Sequence, residues 1–87
     1  MSKEQIQLSE SEARQPEGVT RKTEDGYIPL LKFNMPVSDK SSSINEGDDV
    51  RFRNFDYVVF EKRERRYPDV SEACDEFWLL LKSHVKQ

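Results

Sequence analysis

The chain carries one cysteine and one histidine, Cys74 and His84, the side-chain types that most often perform nucleophilic or metal chemistry. A thiol becomes a useful nucleophile when a base lies within hydrogen-bond reach. Ten positions separate the pair, nearly three turns of a helix, so on one straight helix the two cannot meet. One cysteine and one histidine also fall short of a zinc ligand set. The three glycines stand apart at 18, 26 and 47, so no glycine-rich loop is available to cradle a phosphate. Carboxylates are abundant, but the sequence alone shows no converging pair. These patterns predict no catalytic residue, no metal and no cofactor. The expectation is a protein that is not an enzyme and has no small-molecule substrate.

The second chemically suggestive group is cationic. Arg51, Arg53, Lys62, Arg63, Arg65 and Arg66 lie among Phe52, Phe55, Tyr57, Phe60 and Tyr67. Guanidinium groups match phosphate bidentately, and exposed aromatic rings stack on bases. That composition suits nucleic acid, or an acidic protein partner. Asp56, Glu61 and Glu64 interrupt the run, and the whole chain has 14 basic and 17 acidic residues, net -3. A mixed-charge strand edge kept in water fits the same residues and guards against edge-to-edge aggregation. Residues 1–48 hold 6 basic and 9 acidic groups, whereas residues 49–87 hold 8 of each. The acidic N-terminal part is therefore able to fold over the basic segment and screen it.

These side chains need elements to carry them. Residues 1–25 contain few apolar positions and no sustained period, so they read as a disordered acidic tail. Residues 26–87 read as one small α+β domain. Leu31, Phe33 and Met35 alternate with Lys32 and Asn34, the period of a half-buried strand. Pro29 and Pro36 place that strand at a sheet edge. Ser38–Asp49, rich in serine and acid, reads as a solvated loop. From Val50 the alternation restarts out of phase near Arg53–Asn54, which predicts either a bulge in one long bent strand or, the preferred reading, a turn between strands near 49–53 and 56–62. Asp69 with Glu72 has capping-box spacing. Val70, Ala73, Cys74, Phe77, Leu80, Leu81, His84 and Val85 then recur at helical steps. The expected fold is a small antiparallel three-stranded sheet packed by one C-terminal helix, with a disordered N-terminal tail. On that helix Trp78 falls at the margin of the apolar stripe and Leu79 on the far face. Both are candidate partner contacts, tryptophan being favoured at binding hot spots.

A strand pair leading through "RRYPDV" resembles small β-sheet DNA-binding proteins with a C-terminal helix, and "RRY-x-D" resembles a strand end of phosphoinositide-binding PX modules. Each likeness covers less than a third of the residues and lacks the remaining motifs, so no family is assigned. The lone cysteine fits a reducing compartment, and no apolar run approaches the length of a membrane span. The functional expectation is a cytoplasmic regulatory, adaptor or inhibitor protein that binds another protein or a second copy of itself. DNA binding through segment 51–66 is the alternative.

Overall fold

The computed structural model describes residues 4–65 and 74–84. Six strands form one sheet: β1 Ile6–Leu8, β2 Arg14–Thr23, β3 Gly26–Pro36, β4 Asp49–Phe52, β5 Phe55–Arg65 and β6 Cys74–Leu81. Their spatial order is β1-β4-β5-β6-β3-β2. Only β1 and β4 run parallel; the other neighbours are antiparallel. Among the described residues the helical elements are α1, Asp39–Ser43, and a 3-10 turn at Lys82–His84. The expected α+β fold is thus replaced by a mixed six-stranded sheet.

The C-terminal helix is the main correction. Asp69, Val70, Glu72 and Val85 lie outside the described residues, but Cys74–Leu81 is a strand. It runs between β5 and β3, which pair with both of its edges, and Asp75 through Leu79 are all buried, so both of its faces are covered as well. A strand buried on both sides reads as an unbroken apolar run, and such a run cannot be told from a helix by periodicity. The N-terminal segment is the second correction. β1 and β2 draw most of residues 4–25 into the sheet, where a disordered tail was expected. Glu24 and Asp25 form the tip of the β2–β3 hairpin, with Thr23 opposite Gly26.

β3 is internal rather than an edge, and its prolines fit for a local reason. β6 runs beside β3 only from Leu31 to Pro36, so Pro29 lies where β3 has a partner on one side alone. Pro36 closes the strand. The expected loop at 38–49 contains α1. The Ser38 hydroxyl accepts from the Ser41 amide while the Ser41 hydroxyl bonds the Ser38 amide, a reciprocal cap. The phase change after Phe52 is a two-residue turn. Arg53 and Asn54 both take positive φ, 53° and 66°, the backbone that matches the twist of a tight hairpin.

Alternation along the strands assigns the core. Phe33, Met35, Phe77, Leu79, Tyr57, Val59, Val50 and Phe52 share one face and are buried there with Leu8, Ala13 and Ile44. Phe33 stacks on Phe77 at 5.4 Å and on Phe52 at 6.2 Å between ring centroids. Two strands, β5 and β6, stand between β3 and β4, which a flat sheet would hold about 14 Å apart. The sheet is therefore curled, with the core on its concave side. α1 and Ile44 close one end of that concavity. Toward the other end a cleft of about 180 Å³ is lined by Gly18, Pro29, Leu31, Tyr57, Leu79 and Leu81.

Gly18 sits in β2 without a positive φ, and a Cβ added there meets nothing within 4 Å. Glycine in a strand costs roughly 0.5–1 kcal/mol relative to alanine through its unfolded-state freedom. Gly18→Ala should therefore raise the melting temperature by about 2–8 °C for a chain of this size, read by far-UV circular dichroism. An unchanged melting temperature would mean that residues 14–23 do not form an ordered strand.

Candidate binding face

The opposite, convex face carries the more distinctive chemistry. Registers place Glu17, Val19 and Arg21 of β2 beside Lys32, Leu30 and Ile28 of β3. Lys32 in turn lies opposite Trp78, and Glu61 lies on the other side of Trp78. Directly opposed residues point to the same side of a sheet, so these groups share the convex face. Trp78 is the centre of the group. Its ring has the Arg63 guanidinium at 5.1 Å, Arg21 at 5.5 Å and the Lys32 ammonium at 5.8 Å. The ring's electron-rich face attracts each cation, and the long side chains cover it, leaving Trp78 only 7% exposed.

A β-bulge re-aims one further aromatic. The β5–β6 register slips between Val59 and Glu61, leaving Phe60 as the extra residue. Phe60 is an exposed aromatic, and its ring centroid is 5.3 Å from the Arg21 guanidinium. Arg21 therefore borders both Phe60 and Trp78. Bulges recur where a side chain must leave the alternation of its strand.

Glu61 holds the cations in place. It accepts from Arg21 Nη2 at 2.9 Å and lies 3.2 Å from Arg63 Nε. The Arg21 hydrogen bond is the main reason its carboxyl is held below the ordinary carboxylate value. Partial burial opposes that shift, and the nearby Arg21 and Arg63 charges add to it. The same hydrogen bond raises the Arg21 guanidinium.

The basic residues singled out from the sequence do not form one patch. Arg51 is on the convex face and pairs with Asp56 at 3.3 Å. Arg53 occupies the β4–β5 turn, where Glu10 accepts from its Nη2 at 2.9 Å. Part of the acidic N-terminal segment thus does lie on a basic residue. Lys62 projects to the concave face, opposite Phe77. Its ammonium donates to the Ser41 and Ile44 carbonyls at 3.0 and 2.8 Å and so anchors the end of α1. Arg63 alone joins the Trp78 group. Arg65 is the last residue of β5, and Arg66 lies outside the described residues.

Leu79, placed on the far face of a helix by the sequence reading, is 1% exposed in the core and has no surface to offer a partner. Cys74 and His84 lie at and beyond opposite ends of β6, and His84 is exposed. Arg21, Lys32 and Glu61 are the members of the convex group that the sequence reading did not single out as a contact surface, and Phe60 was named only among the aromatic rings of the basic segment. The alternation Val19, Arg21, Thr23 before an Asp-Gly turn was the available signal for Arg21. Compared with family models, curated proteins and solved structures, the chain matches none. Among the described residues, no helix is long and apolar enough to cross a membrane.

Glu10, Glu12 and Glu61 are all held below their usual value of 4.5. The first cause is a hydrogen bond from Arg53, Lys40 and Arg21 respectively. A carboxyl whose folded value is depressed contributes stability above its unfolded value and loses it as pH falls through the folded one. Melting temperature should thus be level near neutrality and fall as pH drops through 4.5 and below. Glu61→Gln should flatten part of that fall. A wild-type melting temperature that holds steady down to pH 3 would show that these pairs carry no linkage.

Proposed function

We propose that the chain is a non-enzymatic binding module that acts through protein–protein contacts, and that its contact surface is the convex face around Phe60, Arg21, Arg63 and Trp78. One observation carries this reading. The bulge in β5 holds Phe60 in water beside Arg21, which itself lies over Trp78. Aromatic and arginine side chains are the groups most enriched at the centres of protein interfaces. An exposed ring bordered by the Arg21 guanidinium, itself paired with the Glu61 carboxylate, offers apolar contact and charge selection together. The expected partner segment presents an apolar side chain to Phe60 and a carboxylate to Arg21 or Arg63, in competition with Glu61. Regulatory, adaptor and inhibitor roles all fit such a surface. Single Cys74 supports a reducing, cytoplasmic setting.

Binding of DNA through residues 51–66 has less support. Arg51, Arg53 and Arg63 each already have a carboxylate partner within the chain, and Lys62 is committed to α1. A phosphate backbone would have to displace those partners against a chain of net charge -3.

Phe60→Ala removes the exposed ring without touching the core. It should leave the melting temperature within a degree or two and lower the yield of a specific partner in affinity capture at least tenfold, with capture resistant to nuclease. Parallel anisotropy measurements with labelled duplex DNA should show no binding at low salt. Micromolar duplex binding whose log-log salt slope is roughly -0.9 per phosphate contact, unaffected by Phe60→Ala, would overturn the reading in favour of nucleic acid.

A further inference from the structure

The geometry points to β2 as a homodimer edge, on which a second copy of the chain adds its own β2 antiparallel about a two-fold axis at Val19. This inference does not depend on the convex face being a partner site.

β2 is ten residues long and ends the sheet; among the described residues it is paired with β3 alone. In an antiparallel ladder alternate residues turn both backbone groups toward one neighbour, and the intervening residues turn theirs the other way. About half of the regular stretch Glu17–Thr23 therefore presents amides and carbonyls to an open edge. Such an edge is a template for another strand unless the sequence blocks it. Charged residues block an edge when like charges meet like.

The charges of β2 instead complement themselves. A two-fold axis normal to the sheet keeps the convex faces of both copies on one side. Convex residues, odd-numbered from Glu17 to Thr23, must then oppose odd-numbered ones, and the axis must pass through a residue. Centring on Glu17, Arg21 or Lys22 sets a charge against its own copy. Centring on Gly18 puts Glu17 against Val19, and centring on Thr20 puts Val19 against Arg21. Centring on Val19 sets Glu17 opposite the second copy's Arg21, twice, with Val19 against Val19 between them and Gly18 opposite Thr20.

The existing ion pairs extend this arrangement. Glu17 already lies 3.8 Å from Lys32, and Arg21 2.9 Å from Glu61. Across the axis the convex face would carry Lys32, Glu17, then Arg21 and Glu61 of the second copy, alternating in sign at every step. Val19, half-buried in one copy, would lose its remaining exposure. The register shift between Arg14 and Glu17 ends regular pairing just before Glu17, so the added ladder is short and the dimer reversible.

Sedimentation velocity on the full chain, from a few micromolar to a few hundred micromolar, tests this directly. The expected mass rises with concentration from 10.3 kDa toward twice that value. Glu17→Arg alone and Arg21→Glu alone each place like charges opposite, and each should weaken association roughly tenfold. Mixing the two variants places opposite charges together at both positions and should restore it. Arg21→Glu also removes the Glu61 pair, so an independent readout is needed. Val19→Cys in a Cys74→Ser background should oxidise to a disulfide-linked dimer. Thr23→Cys should not, because its two copies stand roughly 26 Å apart in this register. A mass fixed at 10.3 kDa at every concentration overturns the proposal. So does association that ignores both charge reversals, or a Val19→Cys thiol that links only to a different protein.

Discussion

The stacking of Phe33 between Phe77 and Phe52 is the constraint on which the rest of this structure depends. The contact of Phe33 with Phe52 joins β3 to β4, which are not neighbours in the sheet, and so fixes the curvature of the sheet rather than the pairing of any two strands. A small chain has little apolar material, and only 34% of this one is hydrophobic. Curling lets one layer of strands wrap its own core, with α1, Ile44 and Ala13 closing the concave side. Lys62 shows the same economy. Its stem crosses Phe77, 5.6 Å from ring centroid to ammonium, and its head satisfies the carbonyls at the end of α1. One side chain thereby links core, sheet and lid.

Curvature also shapes the other surface. Side chains on a convex face diverge, so short apolar groups there cannot cover one another. Trp78 and Leu30 are nevertheless buried. Arg21, Lys32 and Arg63 cover Trp78 with long stems and direct their charged heads over the ring. As a partly exposed pair near the surface, Arg21–Glu61 contributes roughly 0–1 kcal/mol. Its larger consequence is positional, because Glu61 holds two guanidinium groups beside the Trp78 ring, and one of them, that of Arg21, also beside Phe60.

What could be read from the sequence follows from how local each feature is. The β4–β5 hairpin was legible because its signal, a phase change at Arg53–Asn54, lies within a few residues. β3 was legible as a strand from Leu31, Phe33 and Met35, but its internal position was not. That position depends on β2 and β6, both of which were read as something else. The Phe77–Leu81 run hid β6, since burial on two faces erases alternation and leaves a pattern a helix also satisfies. Around the site, Trp78 was recognisable by residue type alone. Arg21 and Lys32 were not, because they reach it through strand pairings that no short-range period encodes. Leu79 shows the converse, since a strand and a helix send the same residue to opposite environments.

The distribution of charge bears on the two kinds of macromolecule that the sequence suggested, and favours the proposed protein partner. Nucleic-acid affinity grows with the number of cations free to exchange counterions for phosphates. Here the cations of the basic segment are divided between two faces and a turn, and each described ion pair gives its cation a carboxylate of the same chain. Such a surface has little long-range pull on a polyanion. On the proposed reading it would suit short-range exchange, in which a partner's carboxylate replaces Glu61 only when its apolar neighbour also fits Phe60. Selectivity would then arise from the cost of breaking an existing pair, a cost that a partner of the wrong shape does not recover.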